Sequence, residues 1–355
     1  MFHYILKRLL LIIPTLFVII VINFLIVQLA PGGPVENMVA RLSGFNQHGS
    51  GDAVATTSSQ VGRYKASQGL DPEMLENIKK LYGFDKPAHE RLWLMLKNYS
   101  TFELGESYFR NTKVIDLIIE KLPVSITLGL WSTLLIYLIS IPLGIHKAVK
   151  NGQSFDTWTS MVIIIAFAIP SFLFAIILIT VFGGNGPLGI FPTRGITSYH
   201  WETFSTMGKI TDYLWHITLP VIAITISGFA TITMLTKNSF LEEINKQYVV
   251  TARAKGVAET SVRYGHIFRN AMLIVISGMP DAIIKVLFTG ALLIEIIFSL
   301  DGLGLLSYES AISRDYPVVF GTLFIFTLIG LVVNLITDMV YVLVDPRINF
   351  ESNQI

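Results

Sequence analysis

The chain has 355 residues, of which 52% are hydrophobic and only 14% charged, a balance foreign to soluble globular proteins. Its formal net charge of +1 leaves no basic footprint for nucleic acid. With no cysteine, no HxxxH or HExxH pair among seven histidines and no GxxxxGK[ST] stretch, it offers no disulfide, no thiolate chemistry, no ready zinc site and no P-loop of its own.

The first apolar segment, Leu9 to Ala30, is long enough to cross a hydrocarbon core of ~30 Å. Lys7 and Arg8 before it also suit a signal peptide, but the apolar run is too long and Pro31 directly after Ala30 makes a poor cleavage site. It reads as a retained first span covering residues 1–30, with the N-terminus in the cytoplasm and Pro14 tolerated near the helix start.

Residues 31–121 form a long polar interval with acids and bases balanced at eleven each. Within it, 43–69 is rich in Gly, Ser, Thr and Gln and reads as a flexible loop. The stretch 71–107 reads as helical. Asp71-Pro72-Glu73 is a helix start, Gly83 a stop, and a second helix over Arg91–Tyr99 carries Leu92, Trp93, Leu96 and Tyr99. Such a segment is either a plain cap on the outer ends of the spans or a platform for a soluble partner.

A five-helix core over 122–344 follows. Its spans are Pro123–Ile145, Trp158–Phe182 with Pro170 at its middle, His216–Thr236, Ala271–Leu300 and Val318–Val344. The connection 183–215 is glycine-rich, with Tyr199, Trp201, Tyr213 and Trp215 suited to a membrane interface. Residues 345–355 make a short tail. The fold class is therefore an all-α polytopic membrane protein of six transmembrane helices, with an external insert after the first.

The polar loop 237–270 is the longest interruption inside that core. Ser239 and Glu242 fit a capping box that would start a helix there, and Glu242 to Lys246 is a favourable i,i+4 pair. Ile244, Tyr248, Thr251, Ala252 and Lys255 fall on adjoining helical positions, Gly256 suits a left-handed C′ residue, and Thr260 or Ser261 would cap a second short helix. Small residues at Ala252, Ala254 and Gly256 would let another backbone come close, although an ordinary solvated loop also accounts for the charge. Positive charge in the short connections sets the orientation. The loop 237–270 has six bases against three acids, whereas 301–317 has one base against three acids. Both termini and the loop then face the cytoplasm.

Ionisable groups at membrane depth are Asp281, Lys285, Glu295 and Asp338. Asp281 and Lys285 stand i,i+4 and either neutralise each other or line a translocation path. Glu295 reads mainly as a structural group ordering the turn that follows it.

The run Tyr248-Val-Val-Thr-Ala-Arg-Ala-Lys-Gly256, with Arg269-Asn270-Ala271 after it, resembles the EAA loop of peptide-importer permeases in the ABC superfamily. The Leu-Pro pair that ends the general pattern is absent, and the Arg-Asn-Ala ending is similar to that of the oligopeptide and dipeptide branch. Lys7-Arg8-Leu9-Leu10, Pro31-Gly-Gly-Pro34, Tyr82-Gly-Phe-Asp-Lys-Pro87, Leu104-Gly105-x-Ser107, Ile141-Pro-Leu-Gly144, Glu295-Ile-Ile-Phe298 with Gly302-Leu-Gly304, and Asp345-Pro-Arg-Ile348 extend the likeness to B-type permease subunits over nearly the whole chain. Asp301 stands where those permeases carry proline.

The resemblance implies the fold of type I ABC importers and a pore-forming subunit that moves oligopeptides, microcin C-like peptides among them, from periplasm to cytoplasm. It implies a second homologous permease as heterodimer partner, a periplasmic peptide-binding protein, and a cytoplasmic ABC ATPase that holds ATP and Mg, with no cofactor and no catalysis on this chain. Glu242, Tyr248, Thr251, Ala252, Arg253, Ala254 and Gly256 would meet the ATPase, and Asp281, Lys285 and Glu295 would be candidates for the path. The rival readings are an ion-coupled secondary transporter using the intramembrane acids and a membrane-embedded enzyme, for which no catalytic constellation stands out.

Overall fold

In the computed structural model the described residues are 2–29, 76, 85–184, 186–279, 282, 284 and 292–344. Among them the protein is helical, with only isolated bridges in place of strands. Helix α1 spans Phe2–Leu29, α2 Ala88–Ser100, α3 Val114–Val149, α4 Ser154–Ala168, α5 Ser171–Phe182 and α6 Thr206–Ile244. Then come α7 (Gln247–Ala254), α8 (Glu259–Ser261), a π-helical turn over Val262–Ile267, α9 (Phe268–Ser277), α10 (Leu292–Ile297), α11 (Leu303–Ser313) and α12 (Tyr316–Val344). The expected loop at 43–69, the helix start at Asp71, the stop at Gly83 and the pair Asp281–Lys285 lie outside the described residues.

Four described segments are long and apolar enough to cross a membrane: Ile5–Ile26, Val114–Val149, Thr206–Ile244 and Tyr316–Met339. The sequence predicts two more: the one over Ala271–Leu300 includes residues outside the described ones, and in the one over Trp158–Phe182 the chain breaks. Helices α4 and α5 meet at 93°, and Ile169, the residue before Pro170, is extended. Proline has no N–H to give and disfavours helical geometry in its predecessor, so the preceding helix stops there. Pro170 does not kink a continuous span; it starts α5, and its carbonyl accepts from Phe174 N–H at 3.1 Å. Pro14 also differs from expectation, because α1 begins at Phe2 and the ring lies well inside the helix.

The described residues fall into two compact units, one of 2–6, 121–306 and 329–344 and the other of 7–120 and 307–328. In the first, α6 is the hub. It begins ten residues before the expected His216, because Ser205 caps it by accepting from Gly208 N–H at 3.2 Å. Toward its start it packs with α3, α5 and α10 through Leu128, Leu178, Ile217, Ile224, Ile294 and Phe298. Toward its end it packs with α3, α7 and α9 through Ile145, Phe240, Val249, Val262, Met272 and Val275. Helices α3 and α6 cross on small residues: a Cβ at Gly228 would come within 2.5 Å of Ile136, and one at Gly144 would press on Thr233 and Thr236. The Ser140 hydroxyl donates across the crossing to the Phe229 carbonyl at 3.1 Å.

The second unit explains the Leu104-Gly105-x-Ser107 motif. Gly105 takes a positive φ of 81°, and Ser107 donates its hydroxyl to Asp315 at 2.5 Å while its oxygen accepts from Arg110 N–H at 3.0 Å. The other Asp315 oxygen accepts from Tyr108 N–H at 3.1 Å, Arg110 pairs with Glu309 at 2.6 Å, and buried Tyr99 rests edge-on against Phe324.

Candidate functional site

The helix expected to start at Ser239 does not start there. Helix α6 runs unbroken through Ser239, which is buried, and ends at Ile244. A capping box needs a non-helical residue at its head, and the chain upstream has no reason to leave the helix. The break falls at Asn245–Lys246. The Asn245 amide nitrogen donates to Leu241 O at 3.0 Å, and Lys246 turns to an extended conformation before α7. Ile244 therefore belongs to α6, not to the helix that carries Tyr248. Glu242 is exposed and lies 3.6 Å from Lys246, as its spacing predicts, but Lys246 pairs more closely with Glu243.

Glu243 is the centre of this elbow. The Tyr248 hydroxyl donates to it at 2.6 Å, Lys246 binds it, and the Asn270 side chain joins them. Glu243 is half-buried, and those hydrogen bonds replace the water its carboxylate gives up. Tyr248 and Asn270, from the two halves of the signature run, thus meet on one acid.

Helix α7 turns one face inward and one outward. Val249 is fully buried, and Tyr248 and Ala252 pack against the same core. Gln247, Val250, Thr251 and Ala254, spaced i, i+3, i+4 and i+7, are exposed. Arg253 is also exposed and reaches Glu259 at 2.6 Å, and the Thr251 hydroxyl donates back to Gln247 O at 2.9 Å. Gly256 ends the helix as predicted, with φ of 78°. Gly256 N–H bonds Arg253 O at 2.9 Å and Val257 N–H bonds Ala252 O at 3.2 Å, a Schellman ending. Ala252 is half-buried and packs on the core, and Val250, not among the expected contact residues, is the exposed apolar residue of the outward face. Nor does Thr260 or Ser261 cap the next helix: α8 starts at Glu259, whose carboxylate suits a helix N-terminus and is held by Arg253, and helical structure continues through the π turn into α9.

A carboxylate that the sequence pattern does not single out ties three helices together. Asp156, in the first turn of α4, is held between two lysines. Lys237 of α6 donates to its oxygens at 2.8 and 2.7 Å, and Lys147 of α3 lies 3.0 Å away. The Lys147 side chain is 0% exposed; it also donates to Asp156 O, Thr159 Oγ1 and Ser160 Oγ at 2.9, 2.7 and 2.8 Å. Burial would raise the Asp156 carboxyl, but the bonds from Lys237, Gly152 N–H and Lys147 reverse this and hold it far below the usual carboxylate range.

Glu295 is fully buried on α10 and proves to be the cap of α11. Leu305 N–H donates to it at 2.7 Å, Ser125 of α3 donates its hydroxyl at 3.3 Å, and Gly304 N–H adds a third bond. Leu303 N–H goes to Ser125 Oγ at 2.9 Å, so the orphan amides of the first turn of α11 are satisfied. The Gly302-x-Gly304 spacing follows directly. A Cβ at Gly302 would overlap the Glu295 carboxylate, and one at Gly304 would meet it at 3.0 Å. Asp301 bonds Lys121 of α3. Among the described residues no group of three His, Cys, Asp or Glu is placed to hold a metal ion.

Several helices long and apolar enough to cross a membrane make this a polytopic membrane protein. The chain belongs to the family of binding-protein-dependent transport system inner membrane components, whose model matches residues 140–350. It is 57% identical to the inner membrane ABC transporter permease protein YejB of Escherichia coli O157:H7, over 98% of this chain and 99% of that one. It is 55% identical to the peptidoglycan transport system permease protein YejB of Agrobacterium fabrum, over 99% of both. The oligopeptide transport system permease protein AppB of Bacillus subtilis shares 34% over 98% of this chain and 99% of its own. A structure of the MetNI methionine ABC transporter in an inward-facing conformation aligns with 65% of this chain and 97% of its own, at a TM-score of 0.50 and 15% identity, a likeness of fold. The family sets aside the ion-coupled alternative in favour of an ABC importer permease.

Proposed function

We propose that this chain is the pore-forming subunit of an ATP-driven importer of oligopeptides, and that α7 is the surface on which its motor docks. The observation that carries the reading is the outward face of α7. Gln247, Val250, Thr251 and Ala254 stand free on a helix whose other side is built into the α6–α9 core. A small exposed helix on a rigid base is what a groove on a partner recognises, and the signature run of the sequence coincides with it.

On this reading six spans cross the inner membrane with both termini in the cytoplasm. The 31–121 insert faces the periplasm and meets a peptide-loaded binding protein. A second, homologous permease completes the pore, and a cytoplasmic ATPase carries ATP and Mg. Nucleotide-driven closure of the ATPase moves α7, and the bundle switches between outward- and inward-open states. The cargo is a peptide chain; relatives named for oligopeptides and for peptidoglycan share that chemistry, and microcin C-like peptides fall in the same class.

Gentle purification of the chain with its bound subunits, followed by an ATPase assay, tests this. Oligopeptide should raise ATP hydrolysis, and a peptidoglycan fragment that stimulates where a plain oligopeptide does not would narrow the cargo. Val250→Asp and Gly256→Asp should insert normally yet lose the ATPase. Normal peptide uptake by both variants at normal expression would refute docking at α7.

A further inference from the structure

We propose that Asp156 is a positioning residue for transport, fixing the α3–α4 corner to the shaft that carries the docking helix. The proposal rests on the importer reading above. Three elements converge on one carboxylate: Lys147 from the end of α3, Asp156 from the start of α4, and Lys237 from α6. From Lys237 to the end of α6 at Ile244 is about 10 Å of continuous helix. Beyond that end the elbow is stiffened by Glu243, Tyr248, Lys246 and Asn270. A displacement of α7 therefore reaches Asp156 through bonded, packed structure with no flexible joint between.

Cohesion alone does not call for this chemistry. Apolar side chains of similar volume hold buried positions as well as ion pairs do, or better, because desolvating charge is costly. What the cluster adds is a fixed geometry: both Asp156 oxygens are engaged, and the Lys147 ammonium has four oxygen neighbours. A slip of α6 against α4 breaks two charged hydrogen bonds at once, so the corner follows the shaft.

The test separates holding the fold from transmitting movement. Asp156→Asn alone strands Lys237, so the double variant D156N/K237M removes carboxylate and ammonium together. It leaves Lys147 its bonds to the residue 156 carbonyl, Thr159 and Ser160. Lys147 is still left without its carboxylate, so in the purified complex this variant should melt below the parent yet assemble and keep basal ATP hydrolysis, while stimulation by oligopeptide falls about tenfold. D156C/K237C supplies the only thiols on this chain. Joining them with a short bifunctional thiol reagent, with partner cysteines replaced, should restore stimulation. Unchanged stimulation in D156N/K237M would overturn the proposal. If that variant fails to assemble, stimulation that is equally low with and without the cross-link would overturn it. A parent complex that no peptide stimulates would instead refute the importer reading.

Discussion

Glu295 and Asp156 are both buried acids that clamp other helices to α3, through Ser125 and Lys147, about 33 Å apart along it. Their chemistry is opposite. Glu295 is surrounded by neutral donors, a serine hydroxyl and the amides of a helix N-terminus, whereas Asp156 sits between two ammonium groups. The first clamp ends a helix and depends on missing side chains at Gly302 and Gly304; the second ties three elements and depends on long ones. A buried acid can thus serve as a cap or as a charged rivet, and the two should fail differently.

The largest effect expected is from breaking the rivet on one side only. Asp156→Asn leaves both Lys147 and Lys237 without their carboxylate, a change that costs roughly 3–5 kcal/mol when a buried charge is left uncompensated. Glu295→Ala should cost about 3 kcal/mol, since amide and hydroxyl donors lose their acceptor. Melting of the purified protein in detergent compares the two directly. Equal or reversed losses would mean that the distinction between charged and neutral donors does not govern these sites.

A smaller effect sharpens the cap. Ser125→Ala removes the acceptor of Leu303 N–H and one donor to Glu295, for about 1–2 kcal/mol. Combined with Glu295→Ala, the loss should be well short of the sum, because both act on the same helix end. Additive losses would separate Ser125 from the cap.

The two clamps were also unequally legible in the sequence. Glu295 could be singled out because its two amide partners, Gly304 and Leu305, lie within ten residues, in a run where paired glycines mark a close approach. Asp156 could not, because Lys237 is 81 positions away and a charge count treats both as solvated loop groups. The same contrast runs through the docking element. Gly256 was readable, since a left-handed helix ending is a local event, and so was the pairing of Glu242 with Lys246. The false start at Ser239 shows the limit of a local rule: the pattern was present, but a helix already under way has no amide to cap. The inward turn of Ala252 and the outward turn of Val250 depend on where the α6–α9 core lies, which no short window contains.

The smallest effect is a predicted absence of one, and it follows from the sign of the Asp156 shift. Its folded carboxyl is depressed below the ordinary value, so its stabilisation is fully present above the unfolded pKa of about 3.9 and is lost only as pH falls through the lower folded value. Acidification from about pH 8 to 5 should therefore leave this clamp ionised and intact. The difference in melting temperature between the parent and D156N/K237M should stay constant over that range. A difference that changes between pH 8 and 5 would show that a proton shares the cluster, and the two lysines would then not be paired with a carboxylate in the way the hydrogen bonds require.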